Sequence, residues 1–329
     1  MEKIVDIINK INVHFNTRGG LKQVYFVACG GSLAAMYPAK YLLKNESTTF
    51  MVGMYNSNEF VHALPKALGN NSLVILTSTK ATPETVEAIK KANEQGAVTI
   101  GLTGYIDSLT AHTAQHSLVY NHQDEWNTDS SLVCTNSQSI ALKLSFEILH
   151  QFESYEHYDK AIEAFSLMGD IYKKASKKIR DDKIAFAIDY QNDEVFNVIG
   201  SGTLYASAYM NSFCYLQEMQ HRHSVPVHSG EYFHGPFETT NKFLPIMLLT
   251  GIGRTRPLDE RVLRFLNKFA RRVTILDAAE LGLSELHEHV AEYFNVTLIH
   301  PLSKQFFNEM ANLRQHPMTY RRYMWKTDY

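Results

Sequence analysis

The sequence predicts an α/β protein built from two similar domains in tandem, each a mostly parallel sheet flanked by helices. Three observations predict it. Short apolar runs of buried-strand type alternate with stretches of helical composition, as in Val24-Tyr-Phe-Val-Ala28 before residues 33–43 and Ser72-Leu-Val-Ile-Leu-Thr77 before residues 86–95. The first of these strands runs straight into a glycine turn, Cys29-Gly-Gly-Ser32. The same plan then recurs after residue 195 with similar spacing. At 329 residues the chain is long for one core, and its 45% apolar and 20% charged content is that of an ordered globular protein.

Residues 1–11 carry Glu2, Lys3, Asp6 and Lys10 through an apolar pattern, which reads as an amphipathic helix rather than a signal peptide. Thr17-Arg-Gly-Gly20 breaks it. The strand at 24–28, its glycine turn and the following helix form a unit that points backbone N–H groups at whatever sits over the helix N-terminus, commonly an anion. The second unit is Ser72-Leu-Val-Ile-Leu-Thr77, the loop Ser78-Thr-Lys-Ala-Thr-Pro-Glu-Thr85 and a helix to Gln95. Thr82 is placed as its N-cap, with Pro83 at the first helical position and Thr85 leaving the capping box incomplete. Gly96 ends the helix, and Ala97-Val-Thr-Ile-Gly-Leu102 is the next strand. The polar segment 124–131 leads into a long helix at about 136–152. Residues 155–178 read as further helix whose basic end, Lys173, Lys174, Lys177, Lys178 and Arg180, is a solvated face. That stretch is the expected linker, which sets the first domain at 1–155 and the second, with its linker helix and tail, at 156–329.

In the second half, Val195-Phe-Asn-Val-Ile199 leads into Gly200-Ser-Gly-Thr203 and an Ala/Tyr-rich helix. Gly202 is matched to Gly31, Thr203 to Ser32 and Ala206 to Ala35. Leu244-Pro-Ile-Met-Leu-Leu249 answers the strand before Ser78, Arg256-Pro-Leu-Asp-Glu260 the Thr82-Pro-Glu-Thr85 segment, and Val273-Thr-Ile-Leu-Asp277 the strand at 98–102. Open parallel sheets take ligands at the carboxyl ends of their strands, so the loops there are the candidate site.

Two loops carry chemistry. Ser78-Thr-Lys-Ala-Thr82 combines hydroxyls, a cation and a helix N-terminus, which suits a phosphate. The second copy, Gly251-Ile-Gly-Arg-Thr-Arg256, has no such hydroxyl cluster, so a phosphate site belongs to the first domain. The other stretch runs from Glu218 to Glu238. It follows an apolar helix at 209–219 and crosses a loop marked by Pro226, Gly230 and Gly235-Pro236. Its acids and histidines are the groups that transfer protons near neutral pH. A metal could be set among His221, His223, His228, Glu231 and His234, but no HExxH or cupin-like spacing completes such a set, and no metal is expected. Neither a GxGxxG fingerprint nor a P-loop is present. A net charge of −2 gives no field to recruit nucleic acid or an anionic membrane. The isolated Cys29, Cys134 and Cys214 fit a reduced, cytoplasmic protein, and no apolar run reaches membrane-spanning length. The tail from Arg314 mixes cations with Tyr320, Tyr323, Trp325 and Tyr329, and the aromatics are expected to pack it back onto the body.

Together, the tandem repeat, the Ser78-to-Thr82 loop, Glu218 and Ser229-Gly-Glu-Tyr-Phe-His-Gly-Pro236 resemble the sugar isomerase (SIS) proteins. The isomerase half of glucosamine-6-phosphate synthase is the broad relative. The chain looks more like the deglycases of 6-phosphorylated Amadori compounds, those acting on 6-phosphofructose-aspartate first and on fructoselysine and glucoselysine 6-phosphates next. That likeness takes in Val52-Gly-Met-Tyr-Asn-Ser57, the stretch from His228 to Glu238 and the tail from Arg314. The synthase's glutaminase domain is missing, so glutamine-fed amination is not expected. The resemblance implies that Glu218 is the catalytic base. It implies that His234 opens the sugar ring and acts as acid, reaching the site of a neighbouring subunit in a homodimer. Ser32, Ser78, Thr79, Lys80 and Thr82 fall in its phosphate- and sugar-binding loops, Thr135 faces the sugar, and Lys326 is the tail lysine that closes over the substrate. The implied reaction releases glucose 6-phosphate and a free amino acid with no cofactor. An aldose–ketose isomerase or an aminosugar-phosphate deaminase would use the same groups, and a non-catalytic phosphosugar sensor is the reading from another class, though no DNA-binding segment is attached. The chain departs from the family at Ala81, where relatives usually have Gly, in a loop one residue shorter. For the amino acid itself, Arg222, Arg321, Glu231 and Asp124 are candidate contacts among which spacing does not decide.

Overall fold

The computed structural model describes residues 1–122, 130 and 133–328. Asp124, with most of the polar segment around it, and Tyr329 lie outside the described residues. The chain divides into two compact units, Met1–Ser166 and Leu167–Tyr329.

In the first unit the elements follow as α1 (Glu2–Asn16), β1 (Gln23–Ala28), α2 (Gly30–Ala35), α3 (Tyr37–Glu46), β2 (Met51–Asn56), α4 (Ser57–His62), β3 (Ser72–Thr77), α5 (Pro83–Glu94), β4 (Val98–Thr103), α6 (Leu109–Thr113), β5 (His116–Val119) and α7 (Ser137–Glu153). The five strands form one parallel sheet in the order β2-β1-β3-β4-β5. Every residue of β3 and β4 is buried, which is why both read as unbroken apolar runs: helices cover the two faces of a parallel sheet. The helix expected at 33–43 is two helices. Pro38 lacks the N–H a helix interior needs and instead starts α3 after a break at Met36. Strand order reverses between β1 and β3, so the loops leaving their carboxyl ends, at Cys29 and Ser78, lie side by side.

The second unit runs α9 (Arg180–Tyr190), β6 (Val195–Gly200), α10 (Tyr205–Tyr209), a π-helix (Met210–Met219), β7 (His223–His228), β8 (Ile246–Thr250), α11 (Arg256–Phe269), β9 (Val273–Asp277), α12 (Glu288–Ala291) and α13 (Asn295–Leu313). In sequence, α8 (Tyr158–Lys178) follows α7 and precedes α9. The strands are parallel in the order β7-β6-β8-β9, the same order as β2-β1-β3-β4. Two tandem copies of one α/β unit are therefore present, as the sequence predicts.

The register of the repeat differs by one residue from the motif match. Gly30 and Gly202 each stand second after their strand, and each has φ of 52°, the left-handed region that glycine alone enters at little cost. Gly202 thus answers Gly30, not Gly31, and the counterpart of Ser32 is Leu204, which is buried. Two further differences lie beside the candidate base. Residues 223–228, expected as loop, form β7, an edge strand where Pro226 costs no needed ladder bond. Residues 210–219 hydrogen-bond in π rather than α fashion, closing with Gln220 N–H on the Tyr215 carbonyl at 2.9 Å. Such widened turns are rare and concentrate at functional sites.

Candidate active site

At the carboxyl edge of the first sheet, Ser78 is buried directly after β3. Its hydroxyl accepts from the Thr82 N–H at 2.7 Å and donates to the Thr82 hydroxyl at 3.0 Å. Thr82 does stand at the N-cap of α5 with Pro83 next, but its side chain makes no cap hydrogen bond; it is engaged by Ser78. The loop closes on itself through Ala81, whose φ of 61° is left-handed. That conformation gives a physical reason for glycine at this place in the resemblance, and Ala81 adopts it against its Cβ. Thr79 shares a 2.7 Å hydrogen bond with the Tyr120 hydroxyl, and its carbonyl accepts from Thr103 at 3.3 Å. The next residue, Asn121, donates its N–H to the Thr135 carbonyl at 2.9 Å, so Thr135 is tied to the same strand ends. Ser32 is half-buried on α2, reached from the neighbouring β1. Lys80 is exposed at the loop's crest. Ser78, Thr79, Lys80 and Thr82 are thus one loop, with Ser32 on the helix that follows β1 and Thr135 in a turn tied to the strand end after β5. Tyr120 belongs to this group, and no motif in the sequence announces it.

The second sheet's equivalent edge is filled by its own charges. Arg256 donates to both oxygens of Asp277, at 3.0 and 2.8 Å, and to the Gly251 carbonyl at 2.9 Å. Gly251 N–H in turn meets the buried Asp259 at 3.1 Å, and Ser229 donates to the other oxygen of Asp259 at 2.6 Å. Burial raises the Asp259 carboxyl above the usual range, against the pull of these hydrogen bonds.

Glu218 lies on the last turn of the π-helix, its side chain 25% exposed, and pairs with Arg321 of the tail at 2.7 Å. Arg321 is only 8% exposed and also donates to the carbonyls of Met318 and Tyr320, at 2.8 and 2.9 Å. Lys326 donates to the carbonyl of Arg321 and lies 4.9 Å from the Tyr320 ring. Glu218 and Lys326 are thus both tied to Arg321, the first through its guanidinium and the second through its backbone carbonyl, where the sequence offers Arg321 only as an amino-acid contact. Gln220, fully buried two residues on, fastens the same tail: its amide donates to the His316 carbonyl at 2.9 Å and its oxygen accepts from Arg314 at 2.7 Å. His316 sits 3.0 Å from the Met219 carbonyl and packs edge-on to His221. Burial first holds both histidines below the ordinary histidine range, followed for His221 by His316 and then the nearby arginines, and for His316 by Arg314. The tail does pack back: Tyr320 sets its ring 5.2 Å from that of His221, while Trp325 is 72% exposed and Tyr323 is exposed too.

Arg222, another candidate contact for the amino acid, is held by Glu194. His234 is exposed on a turn that closes through its N–H to Glu231 and through Phe237 to Tyr232, both 2.9 Å. Tyr232 is buried and Phe233 packs with Phe237 and Phe265, so the loop is anchored on both sides of an outward-facing imidazole. Glu231 is exposed as well. Among the described residues no three His, Cys, Asp or Glu side chains are grouped to hold a metal ion, and no helix is long and apolar enough to cross a membrane.

Comparison with known proteins agrees with this architecture. The SIS domain family matches residues 21–148. Fructosamine deglycase FrlB of Bacillus subtilis (strain 168) is 37% identical over 310 residues, 94% of this chain and 93% of its own. Fructoselysine 6-phosphate deglycase of Escherichia coli (strain K12) is 26% identical over 83% of this chain and 78% of its own. A solved Salmonella typhimurium LT2 structure, provisionally named a phosphosugar isomerase, superposes with a TM-score of 0.93 at 39% identity over the whole of both chains. The parallel tandem sheets, the hydroxyl loop after β3 and this end-to-end likeness lead to one conclusion: the chain belongs to the SIS family, and within it is related along its length to the fructosamine deglycases.

Proposed function

We propose that this enzyme is a deglycase that hydrolyses a 6-phosphorylated Amadori compound to glucose 6-phosphate and a free amino acid. The observation that carries the reading is Glu218: a carboxylate on a widened helical turn, three-quarters withdrawn from water and held by a tail arginine, in a chain 37% identical to a fructosamine deglycase. Ring opening exposes the C2 ketone of the substrate. Glu218 removes a proton from C1, the carbon bearing the amine, and the electron pair moves to give an enolamine. Protonation at C2 gives the aldimine. Water adds to C1, the C–N bond breaks, and the amine leaves with the proton. One water is consumed and no electrons are exchanged with an outside acceptor, so proton transfers complete the balance. The Ser78-to-Thr82 loop, with Ser32, takes the phosphate, and Thr135 faces the sugar. His234 moves the ring-oxygen proton, and its outward position on an anchored loop supports a homodimer in which it serves the partner's site. Lys326 closes over the bound sugar.

The test is release of glucose 6-phosphate, followed by a coupled dehydrogenase, from fructose-aspartate, fructoselysine and glucoselysine 6-phosphates. Release from any one supports the reading and identifies the amino acid. Conversion of fructose 6-phosphate or glucosamine 6-phosphate instead, with silence across the panel, refutes it. Glu218→Gln should lower turnover by at least about 10³-fold while the fold persists. Mixed Glu218→Gln and His234→Ala subunits should regain activity that neither variant has alone; absence of rescue would place both groups within one subunit.

A further inference from the structure

The Glu218–Arg321 pair includes one buried donor, Nε of Arg321, that the chemistry above does not use. A guanidinium offers carboxylates an edge made of Nε and Nη2, which together match both oxygens. The Nη1 side of Arg321 is committed to the Met318 and Tyr320 carbonyls, which hold the group in place. On the opposite edge Nη2 meets one oxygen of Glu218 at 2.7 Å, while Nε is buried and has no hydrogen-bond partner among the described residues. A buried N–H is seldom left so, because the group forfeits its hydrogen bond to water and gains nothing in return. The fork is thus half occupied, and its occupant is the proposed base.

We propose that the Nε/Nη2 edge of Arg321 receives the carboxylate on the amino-acid half of the substrate, and that Arg321 thereby selects amino-acid adducts over adducts of plain amines. This rests on the deglycase reading. An incoming carboxylate fills Nε and takes over Nη2, and the Glu218 oxygen so displaced becomes the acceptor for the C1 proton. One carboxylate replaces another on the same cation, so the arginine's charge stays matched throughout. Lys326 bonds to the backbone carbonyl of Arg321 itself, so the tail's lysine and the fork are placed together. Arg314 is committed to Gln220. Arg222 also leaves Nε buried and unpartnered, but Glu194 holds its Nη1, which makes it the control.

The experiment compares kcat/KM for 6-phosphofructosyl-glycine and 6-phosphofructosyl-methylamine, which differ only by the carboxylate. The wild type should favour the glycine adduct by about 100-fold, the scale of a buried charge-assisted fork. Part of the methylamine deficit should fall on kcat, because nothing displaces Arg321 from Glu218. Arg321→Gln should bring the ratio below about fivefold, Arg321→Lys should leave an intermediate ratio because a point charge lacks the fork, and Arg222→Gln should keep it. If Arg321→Gln does not fold, the Lys variant carries the comparison. A wild-type ratio near one, or a full ratio in the Arg321 variants, overturns the assignment. Release from neither compound nor from the three-member panel by the wild type refutes the deglycase reading and this assignment with it, whereas release from the panel with silence on both overturns this assignment alone.

Discussion

Gln220→Ala should open the tail without unfolding the second unit. The Gln220 side chain is wholly buried and makes three contacts to the tail: the Arg314 guanidinium at 2.7 Å, the His316 carbonyl at 2.9 Å and the Met318 sulfur at 3.2 Å. Truncation removes one charge-assisted hydrogen bond, worth roughly 2 kcal/mol, and one neutral bond worth about 1 kcal/mol. The Met219–His316 and Glu218–Arg321 contacts remain, so the tail stays docked most of the time. A loss of about 3 kcal/mol corresponds to roughly a 100-fold larger open population. Trypsin reads this directly, because Arg314, Arg321, Arg322 and Lys326 all lie on the tail. Limited proteolysis followed by intact mass should show cleavage at these positions about 100-fold faster in the variant, while the urea midpoint of the bulk transition moves far less. A tail-cleavage rate within twofold of wild type would refute the view that Gln220 is the fastening.

Two other perturbations probe separate parts of the molecule. Ser78→Ala removes both the acceptor for the Thr82 N–H and the donor to its hydroxyl, about 1 kcal/mol each, and should weaken glucose 6-phosphate binding about tenfold by calorimetry; unchanged affinity would take this loop out of the phosphate site. His300 is half-buried beside Tyr215 on the π-helix, and desolvation pushes its pKa down to about 3. The unfolded chain therefore binds the His300 proton near pH 6.5 while the folded chain does not, so this contribution is complete above pH 6.5 and falls by on the order of 1 kcal/mol per pH unit below it. His300→Gln should remove that slope from denaturation curves taken between pH 6.5 and 4; an unaltered slope would show that His300 is not the group.

What could be read from the chain depended on how local the signal is. Strands buried on both faces are continuous apolar runs, so β1, β3, β4, β6 and β8 were visible, and the glycine turns marked where loops cross the sheet edge. The edge strand β7 was not, because Pro226 and alternating polar residues are what a solvent-facing edge tolerates and also what a loop looks like. The π-helix escaped for a related reason: one extra residue per turn leaves composition unchanged and alters only which residues share a face. The loop from Ser78 to Thr82 was legible because its hydroxyls are contiguous. The Glu218–Arg321 pair was not, since about a hundred residues separate its members and charge alone does not choose among the arginines around the tail. The tail's docking is legible in part: Tyr320 does pack on His221, but a glutamine and two arginines, which no pattern singles out, provide the polar attachment.

That separation along the chain also sets an order of events during synthesis. Glu218 leaves the ribosome about a hundred residues before Arg321 does, a delay of roughly 5–20 s at ordinary elongation rates. For that interval the second sheet can form while its acid waits without its arginine and Gln220 without the segment it fastens. Maturation of the centre is then a late docking event after the surrounding framework has folded. A nascent chain would be competent to fold well before it is competent to react.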